Sequence, residues 1–224
     1  MMTHNLLDDE SIEWIRKKDY HTNIWAGGET TQIAIYPRDS EYTSRSFIWR
    51  LSYATVTADQ STFTPLPGIR RKLLILEGAM SLTHEHHHHK HLTPFAQDEF
   101  DGSWTTHSKG QARDFNLMMS SNCFGRLAAL DLQKNPQTVH LSDDQHRSYG
   151  IRTDAFFCVH DAASVSVSGI STPQLPIATQ HFQLEKNDTL LITQNINRRS
   201  HVHTVRLHAL EPSFSTIIHA TMYY

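Results

Sequence analysis

Cysteine is scarce: the 224 residues include only Cys123 and Cys158, too few for a disulfide framework. Each lies in an apolar stretch, NCFGRLAAL or FFCVH, which predicts buried free thiols in a reducing compartment. Neither has a nucleophile signature around it. No stretch approaches the ~18 apolar residues of a membrane span. The acidic opening, MMTHNLLDDESIEW, has no apolar core of a secretory leader. A cytoplasmic protein without a membrane partner is expected. A basic excess is missing too, with 20 Lys and Arg against 23 Asp and Glu and a formal net charge of −3. That balance argues against a nucleic-acid surface. The short basic runs Arg70-Arg71-Lys72 and Arg198-Arg199 sit beside strand-like residues and read as structural or pocket side chains.

Helical periodicity is nearly absent as well. One short N-terminal helix is predicted, with Ser11 as N-cap before IEWIRKK. From there the chain reads as strand: QIAIYP (32–37), FIWRLSYATV (47–56), RKLLILEG (71–78), MSLTHE (80–85), HLTPF (91–95), FNLMM (115–119) and LAALDL (127–132). DAFFCVH (154–160), SVSVSG (164–169), HFQLE (181–185), TLLIT (189–193), VHTVRLHAL (202–210) and FSTIIHATMY (214–223) follow. They are short, rich in β-branched and aromatic residues, and separated by Gly, Pro, Asn or Asp turns. Many short strands at close spacing predict an all-β sandwich or barrel.

An internal echo sharpens the expectation. LLILEGAMSLT (73–83) leads through a polar loop to HLTPFAQDEF (91–100), and FFCVHDAASVSVSG (156–169) leads through a Pro-rich loop to HFQLEKNDTLLI (181–192). LEKNDTLLI looks like a cupin turn. Two such modules predict a cupin-like jelly roll of the bicupin type. The polar loop 133–150 is the natural boundary, giving modules at 1–132 and 133–224 packed as one continuous domain.

The most conspicuous segment is HEHHHHKH at 84–91, six of the chain's 17 histidines. Imidazoles at i and i+2 of a strand face one side and can hold zinc, nickel or copper. A physiological site also needs fixed ligands and supporting hydrogen bonds, whereas a redundant hairpin tip gives adventitious binding, here at His84, His86 and His88. His201 and His203 share a face of a predicted strand and form a second candidate pair. Metal-dependent cupins carry H-x-H and a Glu ahead of the strand that ends in a glycine turn. FTPLPGIRRK precedes LLILEG, and GIRTDAFF opens the second module, neither with a histidine. No metal and no cofactor is expected.

The residues that demand explanation are Arg50, Arg71, Asp114 and Asn116, with Trp25 and its neighbouring glycines. Arginine presents a planar fork matched to carboxylate, so arginines and an amide converging in a barrel mouth would bind a small organic acid. Trp25 would cover an apolar part of it. For Arg50 the competing reading is a buried structural pair with Asp114, and for Arg71 a surface side chain beside Lys72. Asp114 and Asn116 could simply close a turn.

Several ordered motifs carry a resemblance: WAGGETTxIAIxP (25–37), FxWRLSxA (47–54), FxxLPGIRRxLxxLEG (63–78), PF (94–95), FDG (100–102) and RDFNLM (113–118). Together they resemble the HutD/Ves family, densely over about 15 to 132 and in outline beyond. The resemblance implies a cupin-like, RmlC-type jelly roll with two modules and no conventional metal centre. It also implies an association with histidine utilisation or stress response, and a ligand such as urocanate or a formylated glutamate. Trp25, Gly28, Thr30, Arg50, Ser52, Arg71, Asp114 and Asn116 match the family's recurrent positions and are the implied ligand-binding residues. Ala26, where a polar residue is usual, and the histidine hairpin depart from the pattern.

Three functions stay open on these residues. One is a metal-independent protein that binds or senses a small carboxylate without catalysis. Another is a metal-free epimerase or lyase using Asp114 with a histidine as acid and base. The last is a metal-dependent cupin with ligands from the histidine run. A homodimer is expected, because cupin-like sheets pair through an exposed face.

Overall fold

The computed structural model describes residues 11–132, 136–141, 146, 148–170, 178–197, 204–210 and 215–224. The predicted pair His201 and His203 lies outside them, as do Arg198 and Arg199. Apart from two single 3-10 turns, Lys17–Asp19 and Tyr42–Ser44, the regular structure is strand. No helix among the described residues is long and apolar enough to cross a membrane.

The chain divides into two compact units, residues 20–127 and residues 11–19 with 128–224. In chain order the strands are β1 (Ser11–Ile15), β2 (His21–Trp25), β3 (Gly28–Tyr36), β4 (Trp49–Val56), β5 (Gln60–Thr62), β6 (Arg70–Gly78) and β7 (Met80–His84). Then come β8 (His89–Leu92), β9 (Gln97–Asp101), β10 (Thr106–Lys109), β11 (Ala112–Met119), β12 (Phe124–Asp131) and β13 (Gln137–His140). The last are β14 (Ile151–Cys158), β15 (Ala163–Ile170), β16 (Ala178–Leu184), β17 (Thr189–Asn195), β18 (Thr204–Ala209) and β19 (Thr216–Tyr223).

The predicted N-terminal helix is not formed. Ser11–Ile15 is a strand that pairs antiparallel with β17, Ser11 opposite Thr193 and Ile15 opposite Thr189. An isolated helix of two turns is unstable in water, β-branched Ile12 and Ile15 prefer extended backbone, and β17 offers a whole ladder of partners. Only the 3-10 turn Lys17–Asp19 remains of the helical signal.

In the first unit, a six-stranded sheet β2-β3-β4-β11-β6-β9 accompanies a four-stranded sheet β5-β10-β7-β8. In the second unit the sheets are β1-β17-β14-β19-β12 and β13-β18-β15-β16. The pairing repeats. β6 lies between β11 and β9 as β14 lies between β19 and β17, and β7 lies between β10 and β8 as β15 lies between β18 and β16. β4 beside β11 and β5 beside β10 recur as β12 beside β19 and β13 beside β18. The echo in the sequence is thus a repeated jelly-roll topology, with β6–β7 and β14–β15 as counterpart steps from one sheet to the other.

The first core joins Leu73, Ile75 and Phe100 of the larger sheet to Met80, Leu82 and Leu92 of the smaller. A second cluster, with Ile35, Phe47, Leu66, Ile69 and Met118, continues it. The second unit packs Phe156, Leu190, Ile192 and Ile217 against Val165, Val167, Val205 and Leu207. Neither cysteine is in a disulfide, and both are buried.

Candidate functional site

Strand register decides which side chains meet. Ile35, Arg50, Met118, Arg71 and Phe100 form one row across β3, β4, β11, β6 and β9. The next row is Gln32, Ser52, Asn116, Leu73 and Asp98, and the one after it contains Thr30, Ala54, Asp114 and Ile75. Rows two residues apart share a face, and Leu73, Ile75 and Phe100 show that this face is the one turned to the core. Arg50, Ser52, Arg71, Asp114 and Asn116 therefore sit together inside the first unit, and all five are buried.

The structural pair considered for Arg50 is not formed. Its Nε donates to Gln32 Oε1 at 2.8 Å and its Nη1 to Ser52 Oγ at 3.1 Å, with the guanidinium 4.4 Å from the centre of the Tyr42 ring. Arg71 is 7% exposed rather than a surface residue; it is Lys72 that turns outward, to Glu99. The Arg71 guanidinium lies over Phe63 at 4.8 Å and Phe100 at 5.1 Å. Its buried Nε has no hydrogen-bond partner among the described residues, and neither does Asn116 Oδ1. Among the described residues no carboxylate forms an ion pair with either arginine.

Burial pulls Arg50 down to about 10, with the neighbouring charge of Arg71 adding to it. Arg71 is lowered for the same reason, desolvation, against the opposing pull of Tyr42 and Asp114. Asp114 and Asn116 lie mid-strand in β11 and close no turn. Desolvation raises the Asp114 carboxyl to about 7, although Arg71 and a hydrogen bond from Asn116 favour its charge. No histidine among the described residues contacts Asp114.

The other expected ligand residues are at the margin. Half-exposed Trp25 ends the β2–β3 hairpin and donates its indole N–H to Thr30 Oγ1 at 3.2 Å. Gly28, at φ 152°, is required by close approach: a Cβ there would come within 2.0 Å of the Thr55 carbonyl oxygen. Thr30 shares the inner face but not the arginine contacts.

The histidine run separates into distinct environments, and the solvated-loop reading does not hold for His84. Met80, Leu82 and His84 alternate inward along β7, leaving His84 2% exposed. Its Nε2 lies 3.1 Å from Asp98 Oδ2, and His88 Nε2 lies 2.9 Å from the same oxygen. His84 Nδ1 is 2.8 Å from Thr106 Oγ1. Burial pulls His84 below its ordinary value against the opposing hydrogen bond and charge of Asp98. Burial raises Asp98, but hydrogen bonds from His88 and His84 bring it below the usual carboxylate range. His86 takes the left-handed turn at φ 62° and is exposed.

Sequence reasoning missed Gln32, Tyr42 and Asp98. It also missed the counterpart interior of the second unit. There Arg152, the second residue of β14 as Arg71 is of β6, is closed by Asp154. Nε and Nη2 donate to the two carboxylate oxygens at 2.6 and 2.9 Å. His219 Nε2 at 2.7 Å and Thr221 Oγ1 at 3.1 Å complete the shell around Asp154.

Two barrels of cupin-like topology, one with its inner arginine paired to a carboxylate and one with inner arginines that form no ion pair among the described residues, define a duplicated cupin-like protein. The chain belongs to the HutD family, whose profile matches residues 17–209. It is similar in structure to a conserved protein of unknown function from Pseudomonas aeruginosa PAO1, with 22% identity, TM-score 0.70, and coverage of 95% of this chain and 98% of that one. It is also similar to HutD from Pseudomonas fluorescens SBW25, solved in a formate condition, at 22% identity and TM-score 0.66 over 94% and 98% of the chains. Hazelnut (Corylus avellana) vicilin shares the fold at 7% identity and TM-score 0.59, over 93% and 85%. The sequence matches no curated protein significantly.

Proposed function

We propose that the first unit receives a small organic acid on Arg50 and Arg71, and that the protein binds or senses this ligand without a metal ion taking part in recognition. The observation that carries the reading is the pair of buried guanidiniums that form no ion pair with a carboxylate among the described residues, together with the unpartnered Arg71 Nε and Asn116 Oδ1. A buried cation is costly unless an anion meets it. Asn116 and Ser52 line the same face and would orient the acid. Membership of the HutD family supports a ligand from histidine breakdown, such as urocanate or a formylated glutamate, in a cytoplasmic protein that pairs with a second copy. A thermal-shift screen of such acids tests it. A ligand at ~100 times its dissociation constant adds about 2.7 kcal/mol of stability, and Arg71→Met removes the response. If no acid stabilises the protein, or the response survives Arg71→Met, the reading is wrong.

One observation favours a second reading, a metal-free epimerase or lyase: the Asp114 carboxyl, raised to about 7, is poised for proton transfer at neutral pH. The partner base or acid would then have to come from the ligand or water. Turnover of a stabilising acid that disappears in Asp114→Asn separates this reading from binding alone.

A further inference from the structure

Anion binding leaves the convergence of His84, His88 and Asp98 unused. One donor atom from each lies within 4.8 Å of the others. A tetrahedral zinc-type ion with bonds of about 2.0–2.2 Å sets its ligand atoms roughly 3.3 Å apart, close to the separations of 3.1 and 2.9 Å between the two imidazole nitrogens and Asp98 Oδ2. The three residues come from β7, the hairpin after it and β9, so the site is fixed by paired strands and not by the loop alone.

Thr106 Oγ1 lies 2.8 Å from His84 Nδ1 and 3.3 Å from the Trp104 carbonyl oxygen. Without an ion, Nε2–H donates to Asp98 Oδ2 at 3.1 Å. With the Thr106 proton on the Trp104 carbonyl, Oγ1 accepts from Nδ1–H, and Nε2 is freed to bind an ion held against Asp98 in place of that hydrogen bond. Histidines that bind metal characteristically donate their other N–H to an oxygen, which fixes tautomer and orientation; Thr106 supplies that oxygen.

Three of the other histidines of the run are engaged elsewhere. His87 stacks on Trp104 with ring centroids 3.7 Å apart. His89 Nδ1 lies 3.0 Å from Thr83 Oγ1 and His91 Nδ1 2.9 Å from Ser81 Oγ, on the exposed face of the hairpin.

We propose that His84, His88 and Asp98 form a binding site for a divalent transition-metal ion of the zinc type, its remaining position open past the partly exposed ring of His88. Two imidazoles favour such an ion over magnesium or calcium, which prefer all-oxygen surroundings. Lys90 Nζ, 3.5 Å from Asp98 Oδ1 and half exposed, swings into solvent as the ion enters. The Phe100 ring touches both His84, at 4.5 Å, and the Arg71 guanidinium, so the ion and the arginine site share one wall. Anion binding does not depend on the ion.

Zinc titrated calorimetrically into chelator-stripped full-length protein provides the test. Alongside the native chain are His88→Asn and a hairpin variant with His86→Asn, His87→Asn, His89→Asn and His91→Asn. One tight equivalent is expected in the native chain and in the hairpin variant, and none in His88→Asn. Because the His88 ring is partly exposed, that variant should keep the metal-free unfolding midpoint. Cobalt(II) should give the intense visible absorption of a four-coordinate ion in the first two proteins only. Thr106→Val, which keeps every ligand, should weaken binding about 10–100-fold. An adventitious ion only, seen as several weak equivalents that vanish in the hairpin variant, overturns the proposal. So does a tight equivalent that survives His88→Asn.

Discussion

Arg152 grips Asp154, two residues further along the same strand, through a bidentate pair at 2.6 and 2.9 Å. The corresponding step from Arg71 on β6 reaches Leu73. One substitution in the repeat thus separates a cation with its own internal partner from a cation without an ion pair, and breaking the pair at Asp154 should act on stability oppositely to removing Arg71.

Asp154→Asn should be severely destabilising. Removing one member of a buried pair leaves the other charge stranded, which costs about 3–5 kcal/mol. Arg71→Met, by contrast, removes a buried charge that has no partner. Without ligand its stability should equal or exceed that of the native chain, by about 1 kcal/mol or more. Urea unfolding at neutral pH measures both, and a strongly destabilised Arg71→Met would show that the arginine is structural.

Asp114 gives a pH signature of known sign. Its folded value, about 7, lies above the unfolded value of a carboxyl. Its contribution is fully present below the unfolded value, about pH 4, and is lost as pH rises to about 7, at up to about 1.4 kcal/mol per pH unit. Asp98, Asp154 and His84 are shifted downward and act oppositely, losing stability as pH falls. The difference between the native chain and Asp114→Asn isolates the effect. The native chain should lose its advantage over the variant between pH 4 and 7, and a flat difference would mean that the carboxyl is charged throughout.

Gly28→Ala should destabilise by more than about 1 kcal/mol, because a side chain at positive φ is strained and its Cβ would meet the Thr55 carbonyl. Urea midpoints read this directly. A neutral effect would mean that β3 and β4 move apart at little cost.

The thiols should be silent in the native state. Burial pushes Cys158 up to about 11, and Cys123 is fully buried. Disulfide-exchange labelling should find no reactive thiol in the native protein and two after guanidinium unfolding. Rapid labelling of Cys158 in the folded chain would require an opening of the second core, and of Cys123 an opening of the first unit.

Twelve of the thirteen strands read from apolar runs coincide with a strand over most of their length, whereas HLTPF overlaps β8 only at His91 and Leu92 and turns at 93–95. Of the six that escaped, β1 alternates as SIEWI but reads as helix in the sequence, and β2, β5, β9, β10 and β13 are short and mostly polar. HTNIW is exposed at every position, and QST and QTVH are polar. Five of them, all but β10, are sheet edges. An edge strand has one side in solvent and is kept polar to discourage pairing with other chains, so hydrophobic period cannot reveal it. Arg50 and Arg71 were legible because a charge inside an apolar run is anomalous. Asp98, in the turn-like AQDEFDG, was not: its value depends on β9 lying beside β6, which the local sequence does not encode. His84 was hidden among like neighbours, although its even spacing from Met80 and Leu82 was the one available cue.

Because Arg50 and Arg71 are shut away without an ion-pair partner, folding of the first barrel works against its own electrostatics. An anion supplied from outside would relieve that opposition, so the concentration of such a molecule would be written into how firmly this half of the chain holds together. The other half, whose inner arginine is already paired with Asp154, would give the same reading whether the molecule is present or not.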